Sequence, residues 1–202
     1  MKKYLDGYYI LYNNEESIPA NTYKCGYCGN IVASNKGYKI TKKEDNGYIP
    51  AALIYRCPKC NNPTFFDISS GDTIPGTKFG REVKGLPDNI KILYDECRIN
   101  YANDCFTSAQ MIARTLLMHI AVEQGAEEGK TFAYYIEYLD EHGYIPPNGK
   151  SWVDFIRNSG NVANHQIVIK EREETEKVIT FLSSLLLFIY ELPNEMSKGD
   201  ST

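Results

Sequence analysis

The sequence predicts a mainly α protein, in which a bundle of four or five helices follows a small β zinc ribbon. Apolar residues recur at the three- and four-residue spacing of buried helix faces from residue 88 almost to the C-terminus. Before that stretch, two Cys-x2-Cys pairs flank a strand-like segment, which is the ligand spacing of a tetrahedral zinc ribbon. The predicted divisions are an N-terminal segment with the ribbon (1–66), a linker or covering loop (67–86), the bundle (87–193) and a disordered tail (194–202).

Length and composition favour a protein without a membrane-spanning segment. At 202 residues with 43% hydrophobic side chains, the chain suits one domain or a small module attached to one. Its longest apolar run, residues 178–190, is too short and too polar to cross a bilayer, which takes about 20 residues. Residues 1–16 lack the apolar stretch and cleavage site of a signal peptide. We therefore expect a cytoplasmic protein with no membrane contact.

The formal net charge of −4 is unevenly distributed. Residues 1–86 carry 12 Lys and Arg against 8 Asp and Glu, whereas residues 87–202 carry 10 against 18. The acidic second part argues against a broad duplex-DNA footprint there, because such binding depends on neutralising phosphates. In the first part, lysines and tyrosines form either a nucleic-acid surface or a solubilising surface. These residues are Lys24, Lys36, Lys39, Lys42, Lys43, Tyr27 and Tyr38.

Four of the six cysteines form a predicted metal site. They are Cys25, Cys28, Cys57 and Cys60. Disulfides are not expected in the cytoplasm, whereas two thiolates one tight turn apart form a zinc knuckle. Four thiolates leave no open coordination position, so the predicted Zn²⁺ is structural and stabilises a segment that is poor in apolar residues. Cys97 and Cys105 lack ligand spacing and are predicted to be small core residues.

Two short strands and five helices are predicted along the chain. The strands span residues 8–12 and 51–56. The helices span about 88–102, 105–124, 131–142, 151–165 and 171–192, with breaks at Asn103-Asp104, Gly143 and Pro193. The last helix is apolar nearly all round after Val178, which indicates the centre of a bundle or a dimer contact. His119 and His142 are interpreted as structural, the latter as part of a helix end.

The helix predicted at 151–165 carries the candidate functional residues. One face is apolar, and the other gathers a permanent cation, two amides and an imidazole: Arg157, Asn161, Asn164 and His165. A solvated helix face usually contains strong helix formers, but this one is rich in Asn, and Gly160 costs about 1 kcal/mol relative to Ala. Two interpretations follow, a solvated face and a functional site.

Several short motifs resemble the family called domain of unknown function 4145. They are Leu86-Pro87, Arg114-x2-Leu117, Ile156-Arg157-x2-Gly160-Asn161-x2-Asn164-His165 and Tyr190-Glu191-Leu192-Pro193. The resemblance implies a bacterial or phage protein associated with type I restriction subunits, often with an N-terminal zinc ribbon. More distantly, the chain is similar to the HEPN superfamily, which includes dimeric ribonucleases with Arg-x(4–6)-His motifs. This similarity implies a HEPN-like helical bundle.

The resemblance also implies a function in bacterial or phage nucleic-acid conflict. It implies metal-independent RNA cleavage, in which His165 assists attack by the 2′-hydroxyl and Arg157 stabilises the phosphorane, with Asn161 as the third candidate catalytic residue. Two features depart from the pattern: seven residues separate Arg157 from His165, and Met118 stands where many relatives have Glu. The alternative is a noncatalytic adaptor that recruits a restriction or defence partner. We expect a homodimer, with RNA or such a protein as the partner.

Overall fold

The computed structural model describes residues 14–146, 149–160 and 168–199. The chain divides into two units, residues 1–78 and residues 79–202. The first is built on a β-sheet and is called the β unit below. The second is built on helices and is called the helical unit.

The sheet of the β unit has five antiparallel strands, each paired with the next along the chain. The strands are β1 (Glu16–Lys24), β2 (Ile31–Glu44), β3 (Gly47–Arg56), β4 (Pro63–Asp67) and β5 (Thr73–Ile74). Its small core contains three aromatic rings in edge or tilted contact, those of Tyr23, Tyr55 and Phe66. Two cysteines, Cys25 and Cys57, belong to the same buried cluster.

The prediction of a mainly α protein with a small ribbon is wrong, because the β unit is a complete five-stranded sheet. A half-buried strand is predicted from alternating apolar and polar residues, and these strands show little of that alternation. In β2, only Val32 and Gly37 are buried among 14 residues. The predicted strand at 51–56 lies inside β3, and the one predicted at 8–12 lies outside the described residues. Strand β5 lies within the stretch 67–86 that was assigned to a linker or covering loop.

The helical unit contains helices close to those predicted from periodicity. They are α1 (Asp88–Ala102), α2 (Phe106–Glu123), α3 (Phe132–Glu141), α4 (Lys150–Gly160), α5 (Arg172–Leu186) and α6 (Leu192–Gly199). The predicted break at Asn103-Asp104 is confirmed, and Asp104 adopts a left-handed conformation there with φ of 57°. Thr131 caps α3 by accepting a hydrogen bond from the Tyr134 N–H. Residues 161–165, the last part of the helix predicted at 151–165, lie outside the described residues.

The predicted helix end at Pro193 is wrong, because the chain is still helical to Gly199. A π-helical turn, Leu187–Glu191, connects α5 to α6. The N–H of Leu192 donates to the carbonyl of Leu187, five residues back. This wider turn accommodates a proline, which has no N–H and whose ring would collide with a carbonyl in a regular α-helix. Residues 194–199, predicted as part of a disordered tail, are therefore helical.

The core of the helical unit is mostly aliphatic and extends through helices α1 to α5. Leu116, Ile120, Ile136 and Leu182 are among its fully buried side chains. Cys97 is also fully buried there as predicted, but the prediction of a core position for Cys105 is wrong. Its side chain is exposed because it precedes the first turn of α2. No described helix is both long and apolar enough to span a membrane.

Candidate metal centre

Four cysteine side chains of the β unit converge on one point. All four sulfur atoms lie within 4.8 Å of one another. The Sγ atoms of Cys25 and Cys60 are 3.7 Å apart, and those of Cys28 and Cys57 are 3.9 Å apart. In a tetrahedral site with metal–sulfur bonds of about 2.3 Å, the sulfur atoms are about 3.8 Å apart. The structure therefore brings the four predicted ligands together at distances that could hold a metal ion.

Each cysteine pair lies in a tight turn between two strands, and the two turns are built alike. The N–H of Gly29 donates to the Cys25 carbonyl at 2.8 Å, and the N–H of Asn61 donates to the Cys57 carbonyl at 2.9 Å. Gly29 and Asn61 have positive φ values of 70° and 58°. Glycine and asparagine are the residues that adopt this conformation most readily. The local sequence therefore specifies two equivalent knuckles.

Two asparagines that the sequence analysis missed complete these knuckles. The side-chain amide of Asn30 donates to the Cys28 carbonyl at 2.9 Å, and that of Asn62 donates to the Cys60 carbonyl at 3.1 Å. Each asparagine stands two residues after the second cysteine of its pair. A search for a repeated Cys-x2-Cys-x-Asn pattern would have found both.

The cysteine thiols of this cluster differ in their electrostatic environment. Burial raises the pKa of Cys25 to about 12, although the N–H groups of Cys28 and Tyr27 act against it. Burial likewise raises the pKa of Cys57. It acts in the same direction at Cys28, but the backbone N–H and side-chain amide of Asn30 lower the pKa of that thiol to about 7. A bound cation would offset the burial of the thiolate charges.

Two buried hydroxyl groups point to the same conclusion. The hydroxyl oxygens of Tyr23 and Thr64 are buried without a hydrogen-bond partner. Burial raises the pKa of Tyr23 to about 12, which the nearby Thr64 opposes and the cysteine cluster reinforces. Tyr23 belongs to the same buried cluster as Cys25 and Cys57. A hydroxyl donor there suits sulfur ligands that carry negative charge, as they do in a metal site.

The chain that follows β5 lies directly against the first knuckle. A Cβ atom at Gly26 would come within 2.5 Å of the Pro75 carbonyl oxygen and 2.6 Å of that of Gly76. Only a glycine fits this close approach without moving the backbone. The metal centre is therefore tied to the last strand of the sheet, which is far from it in sequence.

Only part of the predicted polar face of α4 lies within the described residues. Arg157 is half-buried in the last turn of the helix. Val153 and Ile156 are buried in the helical core, as expected for the apolar side. The other predicted site residues, Asn161, Asn164 and His165, lie outside the described residues.

The two histidines that the structure describes have structural partners. Nε2 of His119 lies 3.2 Å from the Glu123 carboxylate and 3.3 Å from the Asn89 side chain. His142 ends α3, where its Nδ1 lies 2.9 Å from the Tyr138 carbonyl oxygen and its ring stacks on that tyrosine. The prediction that His142 belongs to a helix end is confirmed.

Two of the family motifs, Arg114-x2-Leu117 and Tyr190-Glu191-Leu192-Pro193, each contain a residue with a structural role. The Arg114 guanidinium lies over the Phe132 ring, 4.5 Å from its centroid, and burial lowers its pKa. The buried Glu191 carboxylate accepts hydrogen bonds from the Lys84 N–H at 2.8 Å and from Arg81 at 3.1 Å. The Lys84 N–H, aided by Arg81 and against the effect of burial, lowers the pKa of Glu191. Glu191 thereby fixes the segment that precedes α1.

The lysines of the β unit are divided between the two faces of the sheet. Lys39 and Lys43 lie on one face of β2, and Lys36 and Lys42 lie on the other. The half-buried Tyr27 packs against the small core. Tyr48 pairs directly opposite Lys43 and is 71% exposed. The sequence analysis missed Tyr48, because its position depends on the register between β2 and β3.

One family pattern matches the chain. It covers residues 96–200 and is described as "Domain of unknown function (DUF4145)". No curated protein matches the chain. No solved structure matches it either.

Proposed function

The chain belongs to the family described as Domain of unknown function (DUF4145), and we propose that it is a zinc-stabilised RNA-binding protein of bacterial or phage nucleic-acid conflict. The metal centre and an exposed β-arm support the binding function. The resemblance to defence-associated proteins supports the biological context.

Zinc is the metal that the four sulfur ligands favour. Zn²⁺ takes four thiolates in tetrahedral geometry, and soft thiolate ligands select against magnesium and calcium. With four protein ligands the ion has no open position for water or substrate, so its role is structural. When bound, it would offset part of the negative charge of the four thiolates and link the turn after β1 to the turn after β3.

The observation that carries the RNA proposal is the arm formed by β2 and β3. Strand β1 pairs with β2 only as far as Gly37, and β4 pairs with β3 only from Ala52. Among the described residues, the stretch from Thr41 to Pro50 is therefore a two-stranded ribbon. The ribbon exposes the side chains of Tyr48 and Ile49, and Ile40 directly before it is also exposed. No described core explains this exposure.

One face of the arm has the chemistry of a single-strand site. Lys39 and Lys43 supply cations for phosphates, and the Tyr48 ring, paired opposite Lys43, supplies a stacking surface. Stacking of one base on an aromatic ring contributes roughly 1–3 kcal/mol and requires no particular base. Two lysines are too few for a duplex footprint, which neutralises many phosphates. The arm therefore favours single-stranded RNA.

Removing the ring tests this proposal. Tyr48→Ala should weaken binding of a short labelled single-stranded RNA by roughly 5- to 150-fold, measured by fluorescence anisotropy. Lys43→Gln should weaken binding less and reduce its salt dependence. The matched control is Lys36→Gln, on the opposite face of β2, which should bind like the wild type. Equal affinity of wild type and Tyr48→Ala would refute the arm as the binding site.

Cleavage is a separate step, and it rests on the resemblance of the Arg157–His165 string to ribonuclease motifs. If the helical unit cleaves RNA, His165→Ala should lower the rate by about 10²- to 10⁴-fold without changing folding. Labelled total RNA, incubated with zinc-loaded wild type, His165→Ala and Arg157→Ala in buffer without added divalent metal, measures this. Intact RNA with every protein would rule out cleavage.

The adaptor is the second candidate, and the charge of the helical unit favours it. Residues 87–202 carry 18 Asp and Glu against 10 Lys and Arg, which repels a phosphate backbone. An adaptor predicts no cleavage by the wild type. It also predicts that Arg157→Ala or Asn161→Ala weakens binding of a restriction or defence partner.

A further inference from the structure

A histidine, a glutamate and an asparagine meet at the surface of the helical unit. His119 and Glu123 lie one turn apart on α2, and Nε2 of His119 is 3.2 Å from Oε1 of Glu123. Asn89, in the first turn of α1, places its side-chain amide 3.3 Å from the same nitrogen. Three side chains that can each act as a metal ligand, drawn from two helices, therefore converge around Nε2 of His119.

The Tyr190 hydroxyl holds the other oxygen of the glutamate. It donates a hydrogen bond to Oε2 of Glu123 at 2.5 Å, so each carboxylate oxygen has its own partner. Burial, reinforced by the Glu123 carboxylate, raises the pKa of Tyr190, so the hydroxyl stays protonated and donates. Tyr190 belongs to the π-helical turn, a type of turn found frequently at functional sites. Hydrogen bonds of this kind orient carboxylate ligands in metal sites.

The three converging groups can direct lone pairs at one cation. A neutral imidazole nitrogen either donates its proton or accepts through its lone pair, so Nε2 of His119 cannot both donate to Glu123 and accept from the Asn89 amide. A half-turn of the Asn89 amide exchanges its nitrogen and oxygen, which brings the oxygen to face His119. With the imidazole proton on Nδ1, a nitrogen and two oxygens then offer lone pairs to a shared ion.

The observed separations fit ligands of a single ion. With metal–nitrogen and metal–oxygen bonds of about 2.0–2.2 Å and angles of about 90–110°, two ligand atoms lie about 2.8–3.6 Å apart. The two measured separations around Nε2 of His119 are 3.2 Å and 3.3 Å. The side chains of His119 and Glu123 are 43% and 34% exposed, so further coordination positions would be open to water or to a donor atom of a bound molecule.

The chemistry of the ligands selects the class of ion. Imidazole favours zinc, copper, nickel and iron, whereas all-oxygen sites favour magnesium and calcium. We propose that Asn89, His119 and Glu123 bind a divalent transition-metal ion of the zinc class, with Tyr190 as the residue that positions the carboxylate. This second metal site does not rest on RNA binding or on the cysteine cluster, because no residue of the β unit takes part.

Isothermal titration calorimetry of the full-length protein with Zn²⁺ tests the inference. The wild type should bind one zinc ion more than His119→Ala, a difference that does not depend on how far the cysteine site is filled. Tyr190→Phe should keep the additional ion and lower its affinity about 10- to 100-fold. The matched control is His142→Ala, which removes the exposed histidine at the end of α3 and should bind zinc like the wild type.

Protection of the imidazole provides a readout that needs no substitution in the site. Diethyl pyrocarbonate acylates free imidazole nitrogens, and mass spectrometry locates the modified histidines. Zinc should protect His119 and leave His142 as reactive as before. Equal zinc binding by the wild type and His119→Ala overturns the inference, and so does a reaction of His119 that zinc does not slow. In either case the cluster is only a hydrogen-bonded contact between helices.

Discussion

Each of the two units is stabilised internally in a different way. Among the described residues, the core cluster of the β unit has six buried members, and two of these are the metal-site cysteines Cys25 and Cys57. The helical unit buries a continuous, mostly aliphatic core drawn from five helices. Small modules rarely bury enough apolar surface to fold alone, whereas a unit with a full core needs no further support. We therefore expect the β unit to depend on a bound metal ion and the helical unit to depend on packing.

Loss of the metal should produce the largest difference in stability between the two units. Cys57→Ser, or chelation of the metal, should unfold the β unit, because binding of structural zinc contributes about 10–16 kcal/mol at neutral pH. The helical signal in circular dichroism should remain, and elemental analysis should find one zinc ion per wild-type chain.

The matched control for this variant is Cys105→Ser, which changes an exposed cysteine of the helical unit. It should keep both the zinc and the fold. Reduced wild type without zinc, or zinc retained by Cys57→Ser, would contradict the assignment.

A substitution that creates a cavity in the helical core should destabilise the helical unit and leave the β unit folded. Leu182 is fully buried on α5, so Leu182→Ala should lower the free energy of unfolding of the helical unit by about 2–5 kcal/mol. Urea denaturation monitored at the helical signal measures this, and zinc content should not change. The exposed Ile92→Ala should change stability by no more than about 0.5 kcal/mol. Zinc loss in Leu182→Ala would show that the units depend on each other.

Glu191→Gln should affect the helical unit less, and in a pH-dependent way. The pKa of Glu191 is lowered in the folded state, so its contribution to stability is present above the unfolded pKa of about 4.3 and is lost as pH falls through the lower folded value. The variant should be less stable than wild type at pH 7, and the difference should shrink with acidification below that value.

Urea midpoints measured across this pH range test the prediction. The control Glu195→Gln, at an exposed position of α6, should follow the wild type. An unchanged difference at neutral and acid pH would show that the Glu191 charge does not contribute.

The smallest effect should come from the outer part of a knuckle. Asn62→Ala removes the amide that donates to the Cys60 carbonyl, so zinc should still bind, with affinity lowered about tenfold. Competition with a chromogenic chelator measures this. Asn46→Ala, in the exposed turn between β2 and β3, should leave the affinity unchanged. Equal zinc affinities of wild type and Asn62→Ala would mean that Asn62 does not help to position the cysteine ligands.

Local patterns predicted the parts of this protein that local forces create. The helices of residues 88–141 follow from apolar periodicity and turn residues, and the convergence of the cysteines follows from paired spacing. Both kinds of signal involve residues that are neighbours along the chain, so no knowledge of the fold is needed to read them.

Tertiary structure decided the rest, because it depends on residues far apart in sequence. The size of the sheet depends on how its five strands pair, for example Glu16 of β1 with Gly37 of β2. The buried Glu191 finds Lys84 and Arg81 across more than a hundred residues. Gly26 needs to be glycine only because Pro75 packs against it. Such contacts form when distant segments meet, and a one-dimensional pattern of hydrophobicity carries no record of which segments those are.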